Sequence, residues 1–183
     1  MKNVGAVALK LFLICAVASL ALGGVNAITE PLIVRRKAAE LQAALEALAP
    51  GATVGEAVTV QGSPAVKVLY SLAAKGKPAG AVVELEASGY GGPMKVLARV
   101  ERDGTIRAAR LLDNAETPGL GKKAEADPYM EKFLGTGTAK RPVPVRKGSL
   151  SAADAEAVTG ATITYLGLAR ALAEGARFVR EGR

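Results

Sequence analysis

The chain has 183 residues, half of them apolar and only 4% aromatic, with a formal charge of +7. It contains no histidine, no tryptophan and a single cysteine. These absences exclude a Ser-His-Asp triad, a Cys-His pair, the usual zinc, copper or haem ligand sets, an intramolecular disulfide and an iron–sulfur ligand set. Redox chemistry, if present, must come from an organic cofactor.

Leu11 to Ile28 is a run without charge, extended behind Lys10 by Val4 to Leu9. As a helix its eighteen residues span roughly 27 Å, enough for a bilayer core. Residues 1–28 are therefore expected as a transmembrane anchor, with Lys10 snorkelling to the head groups. A cleaved signal peptide ending at Val25-Asn26-Ala27 is the competing reading, and the length of the run favours the retained span. Cys15 lies inside this run as a small, inert apolar residue, and Ile14 before it argues against lipid attachment. Lys2 and Lys10 on one flank nearly balance Arg35, Arg36 and Lys37 on the other, so charge asymmetry does not orient the span.

Residues 29–50 predict a juxtamembrane helix from Thr29 to Leu48, with Thr29 as N-cap and Pro31 in the first turn. Leu41, Leu45 and Leu48 recur at helical spacing before Pro50-Gly51. It either rests on membrane lipid through its basic residues or packs on the domain as a spacer. From residue 51 to 183 a single domain is expected. Val54–Val60, Ala65–Ala73, Gly80–Ala87, Lys95–Glu101 and Thr105–Asp113 read as short strands, and Asp103-Gly104 as a hairpin turn. Glu125–Phe133 reads as a short helix, and Arg141 to Val145, with two prolines, as an edge strand or an extended connector. The final helix runs from about Gly160 to Val179, with Val158, Ala161, Tyr165, Leu168, Leu172, Ala176 and Val179 on one face. The fold class is α+β: one N-terminal transmembrane helix, then an antiparallel sheet with flanking helices.

The excess of basic residues suits nearness to anionic lipid, or simple solubility. A nucleic-acid partner is not expected, because no aromatic and arginine-rich stripe accompanies the charge.

Three small-residue segments punctuate the domain: Ser88-Gly89-Tyr90-Gly91-Gly92-Pro93, Glu116-Thr117-Pro118-Gly119-Leu120-Gly121 and Val158-Thr159-Gly160-Ala161-Thr162-Ile163-Thr164. Each allows close backbone approach, and each is also an ordinary turn signal. None has the spacing of a Rossmann or Walker phosphate loop. The third opens the last helix, whose first-turn N–H groups and dipole suit a phosphate. An ordinary N-cap by Thr159 accounts for the same residues.

The order GYGGPM (Gly89–Met94), ETPGLG (Glu116–Gly121) and TGATIT (Thr159–Thr164) resembles the G subunit of the Rnf electron-transport complex. The C subunit of the sodium-translocating NADH:quinone oxidoreductase shares its FMN-binding domain. The likeness covers nearly the whole chain, and ETPGLG with TGATIT carries most of its specificity. It implies a flavoprotein in which a flavin transferase esterifies the phosphate of FMN to Thr162. By the same analogy Glu116, Thr117, Gly119, Leu120 and Gly121 line the flavin ring, Tyr90 and Gly91 (with Gly92 and Pro93) lie near it, and Thr159, Gly160 and Ala161 surround the ester. The implied function is electron relay within a membrane complex that couples ferredoxin–NAD electron transfer to ion movement, with no turnover by this chain alone. The resemblance also implies partner subunits and a domain outside the cytoplasmic (inner) membrane. One departure stands out: the family's usual aspartate six residues before the modified threonine is Glu156 here, with Asp154 nearby. The rival from another class is a membrane-tethered scaffold or partner-binding domain without cofactor. A threonine hydrolase fares badly for want of an activating base.

Overall fold

The structure, a computed structural model, describes residues 4–118 and 121–182. It divides into one unit up to Gln42 and a second from Ala43 onward. Helix α1 runs from Val4 to Leu48 and includes Pro31. It is long and apolar enough to cross a membrane, and the apolar window that qualifies it is wholly unburied. Leu20, Leu22 and Ile28 are each about 70% exposed or more, which leaves their apolar surface to a partner outside the chain.

Thr29 does not cap a separate helix. Its Oγ1 donates back to Val25 O at 2.8 Å, and Asn26 Nδ2 donates to Glu30 Oε2 at 3.3 Å, so both polar groups are satisfied within one continuous helix. The last turn of α1 belongs with the second unit, where Ala44 and Leu48 are buried.

Five strands follow: β1 (Thr53–Thr59), β2 (Val66–Ala74), β3 (Lys77–Ser88), β4 (Pro93–Val100) and β5 (Ile106–Asp113). They form an antiparallel sheet in chain order β1-β2-β3-β4-β5. All five fall where the short runs between turn signals place them, with ends shifted by up to three residues. At the β4–β5 turn Gly104 takes φ 92°, and Asp103 Oδ1 accepts from Thr105 N at 2.8 Å. That bond holds the Asp103 carboxyl below the usual carboxylate range.

Successive residues of β3 and β4 point to opposite faces. Ala81, Val83, Leu85 and Ala87 with Met94, Val96, Ala98 and Val100 form one buried face, paired in register as Val83↔Ala98 and Leu85↔Val96. The C-terminal helix α4 (Thr162–Glu181) covers it with Tyr165, Leu168, Leu172 and Ala176. The opposite face buries Tyr70, Leu72, Val82 and Leu97. There Arg99 Nη1 donates to Leu48 O at 3.2 Å, which sets the last turn of α1 on that side of the sheet.

The segment expected as one helix over Glu125–Phe133 breaks into three short pieces: 3-10 turns at Gly121–Glu125 and Glu131–Phe133 around a short α2 (Asp127–Met130). A proline at 128 suits the start of a helix and not its interior, so α2 begins at Asp127. Residues 141–145 hold no helix or strand and join no sheet, so the expected edge strand is not formed. Two further short elements lie between these residues and α4: a 3-10 turn (Lys147–Ser149) and α3 (Ala152–Ala157).

Candidate functional site

Glu116 joins the three small-residue segments. It follows β5 and is 4% exposed. Its Oε1 accepts from Gly91 N at 3.0 Å, and its Oε2 accepts from Thr164 Oγ1 at 2.7 Å. Its own N–H donates to Asn114 Oδ1 at 3.0 Å. A buried carboxylate needs such donors, and here they come from the loop after β3 and from α4. The glycines make room for it: a Cβ on Gly89 or on Gly121 would stand 2.1 Å from a carboxylate oxygen of Glu116.

Around this tie lies a cavity of about 390 Å³, within the range of roughly 300–1,000 Å³ typical of small-molecule sites. Tyr90 contributes from the first loop, Glu116, Thr117 and Gly121 from the second, and Gly160, Ala161 and Thr162 with the next two residues from the third. Gly119 and Leu120, expected at the same site, lie outside the described residues. Tyr90 is 74% exposed and stands at the mouth. Gly91 meets the site through its N–H on Glu116, and the cavity wall does not include it.

The first turn of α4 differs from the expected cap. Ala161 occupies the N-cap position with φ −128°, and no side chain caps the helix. Gly160, at φ 86°, turns the chain into it. Thr159 points away instead: its Oγ1 donates to Ala155 O at 2.9 Å and accepts from Lys147 Nζ at 2.8 Å. A threonine oxygen already held by its own preceding helix is not free to cap the next one. Thr162, half-buried, therefore begins a 20-residue helix whose uncapped first residues line the cavity. Glu156 is exposed on α3, and its carbonyl accepts from Thr159 N at 2.9 Å.

Behind the cavity Tyr165 stacks on Phe133 with ring centroids 5.4 Å apart, and its hydroxyl donates to Pro144 O. Burial, then the charge of Asp154, pushes its pKa up to about 12. Tyr129, also buried, has no partner for its hydroxyl among the described residues, and burial raises its pKa as well. Both phenols are neutral at physiological pH. A second cavity, of about 500 Å³, lies across Ile163 and contains none of the three threonines of the TGATIT segment.

Residues 89–177 match the FMN-binding domain family. Among curated relatives, the G subunit of the Na(+)-translocating ferredoxin:NAD(+) oxidoreductase complex of Acetobacterium woodii is 31% identical over 178 residues, covering 89% of this chain and 85% of that protein. The chain belongs to this family of G subunits. The corresponding G subunit of the ion-translocating oxidoreductase complex of Cereibacter sphaeroides is 36% identical over 135 residues, 69% of this chain and 62% of that protein. Another strain of that species gives 47% over 73 residues, 39% of this chain and 33% of that protein. The chain thus spans less than two thirds of the Cereibacter relatives. The crystal structure of Shewanella oneidensis NqrC is 23% identical, with a TM-score of 0.49 over 69% of this chain and 68% of that one.

Sequence reasoning missed α3 and Lys147. The signal for α3 was present: Ser151-Ala152-Ala153-Asp154 is a capping box, and Ser151 Oγ accepts from Asp154 N at 3.1 Å. Lys147 had no local signal, because its partner Thr159 is twelve residues away.

Proposed function

We propose that this chain is the electron-relay component of a membrane-bound, ion-translocating oxidoreductase complex and that it carries FMN esterified through its phosphate to Thr162. The observation that supports this best is the position of Thr162. Its hydroxyl stands at the uncapped first turn of α4, in the wall of the cavity shared by Tyr90, Glu116 and Thr117.

The residues present fit such a group. The first-turn N–H groups and the helix dipole favour a phosphoryl anion. Gly160 and Ala161 keep the approach to Thr162 clear, while the Glu116 bonds to Gly91 and Thr164 fix the cavity's walls. FMN, when bound, accepts and donates electrons singly or in pairs. The chain's part is retention and placement: an ester on Thr162 prevents loss of the group by dilution on the extracytoplasmic side, and Tyr90 marks its open edge. A flavin transferase moves the FMN part of FAD to the Thr162 hydroxyl, breaking the pyrophosphate bond and releasing AMP, and supplies the base for that step, so the absence of histidine here is no obstacle. Glu156, exposed beside the modified loop, takes the place of the family's aspartate in presenting it. The domain organisation follows: residues 1–28 span the inner membrane, 29–50 adjoin it, and 51–183 form the flavin-bearing domain. Electrons pass between partner subunits through that domain, and the chain has no turnover alone.

Intact mass of the full chain, co-produced with a flavin transferase, tests the proposal. The parent is expected to gain one FMN less one water, and Thr162→Ala none. An unmodified, colourless parent beside a transferase active on another substrate would reject the tethered flavin and leave the scaffold reading.

A further inference from the structure

Three hollows follow one another along the outer side of α4. The first, of about 500 Å³, is bounded by Glu86, Gly89, Ile163, Arg170 and Glu174, among others. The second, of about 420 Å³, shares Arg170 and Glu174 and adds Val145, Arg146, Ala173 and Arg177. The third, of about 350 Å³, shares Val145, Ala173 and Arg177 and reaches Arg180. Because each shares residues with the next, they form one groove. Ile163 also lines the Thr162 cavity, so the groove begins at that cavity's edge.

The charges along it are unbalanced. Four guanidinium groups face two carboxylates, and both carboxylates are engaged. Glu174 holds Arg177 Nη2 at 2.8 and 2.9 Å, and Glu86 pairs with Lys67 at 3.7 Å. Arg180 Nη1 donates to Gly137 O at 2.9 Å. No side-chain partner is present for Arg146 or Arg170 among the described residues, and both are exposed. Two free guanidinium forks in one trough are built to take carboxylates bidentately.

We infer that this groove docks an acidic segment of a partner protein, with its carboxylates on Arg146 and Arg170. Single-stranded nucleic acid is disfavoured because no aromatic residue lines the trough for base stacking. A lipid surface is disfavoured because Glu86 and Glu174 lie within the groove, where anionic head groups would meet them. An acidic segment lying here sets its protein beside the Thr162 cavity, a consequence that rests on the proposed function. Opposite charges also speed the encounter and make it salt-dependent.

The test uses the full chain in neutral-lipid discs and a fluorescent oligoglutamate peptide, read by anisotropy. Arg146→Gln with Arg170→Gln is expected to weaken binding about tenfold, equivalent to ~1.4 kcal/mol. Lys75→Gln with Lys77→Gln, which removes the same charge from the β2–β3 turn, is expected to stay within about twofold. Equal losses in the two pairs would overturn the inference, as would displacement of the peptide by glycerol phosphate at lower concentration than by free oligoglutamate. Circular dichroism checks that both variants fold. Peptide binding is measured on Thr162→Ala too, where it is expected unchanged, so a failure of flavin attachment is distinguishable from a failure of docking.

Discussion

The two ends of α4 are finished in different ways. At the C-terminal end Gly182 takes φ 67°, and its N–H returns to the carbonyls of Phe178 and Val179. The chain closes that end with its own backbone, as a left-handed glycine cap does. At the N-terminal end Ala161 offers no side-chain oxygen, and the nearest candidate, Thr159, is turned toward α3. A missing N-cap costs about 0.5–2 kcal/mol. The difference teaches where the fold is complete and where it depends on something else: the finished end is structural, and the unfinished end opens on a cavity.

Changes at the unfinished end are expected to cost most. Glu116→Ala removes the acceptor for Gly91 N and Thr164 Oγ1, leaving a buried hydroxyl and a partly buried N–H without it, and should lower stability by about 3 kcal/mol in thermal unfolding. A loss under about 1 kcal/mol would mean the three segments hold together without it. Gly167→Ala comes next. A Cβ there would stand 1.8 Å from Ser88 O, so the helix must shift off β3, at a cost of about 2 kcal/mol. At the finished end Gly182→Ala should cost only about 1 kcal/mol, the strain of a left-handed alanine with open space around it. If it proved the more damaging of the two glycine changes, the contrast between the ends would fail. The smallest effect sharpens the comparison with the opposite sign. Ala161→Ser supplies an oxygen to the open turn and should stabilise the flavin-free chain by up to about 1 kcal/mol. It should also slow flavin attachment followed by intact mass, because the new hydroxyl occupies donors that a phosphate would use.

The sheet was legible in the sequence because its short apolar runs are bounded by Gly, Pro or Asp-Gly signals, although β3 and β4 bury apolar residues on both faces at Val82 and Leu97. The apolar stripe of α4 was legible too, since Tyr165, Leu168, Leu172 and Ala176 obey one period. The continuity of α1 was not legible: Thr29 and Pro31 imitate a helix start, and only a bond from Thr29 to Val25 O shows otherwise. Thr162, Thr117 and Glu116 were singled out by motif, and the structure places all three on one cavity. The bonds that Glu116 makes were not legible, because its partners Gly91 and Thr164 stand 25 and 48 residues away. A sequence marks which loops are special more readily than it marks the atom that ties them.

The seat of Gly167 on Ser88 has a consequence for how this domain breathes. With no side chain between them, the second turn of α4 and the end of β3 touch backbone to backbone. Neither can loosen without lifting the other, so their slow amides should exchange with deuterium in one opening event. The loop that carries Tyr90 and the turn that carries Thr162 hang from those two segments. Wherever the domain opens to solvent, those two walls of the cavity open together.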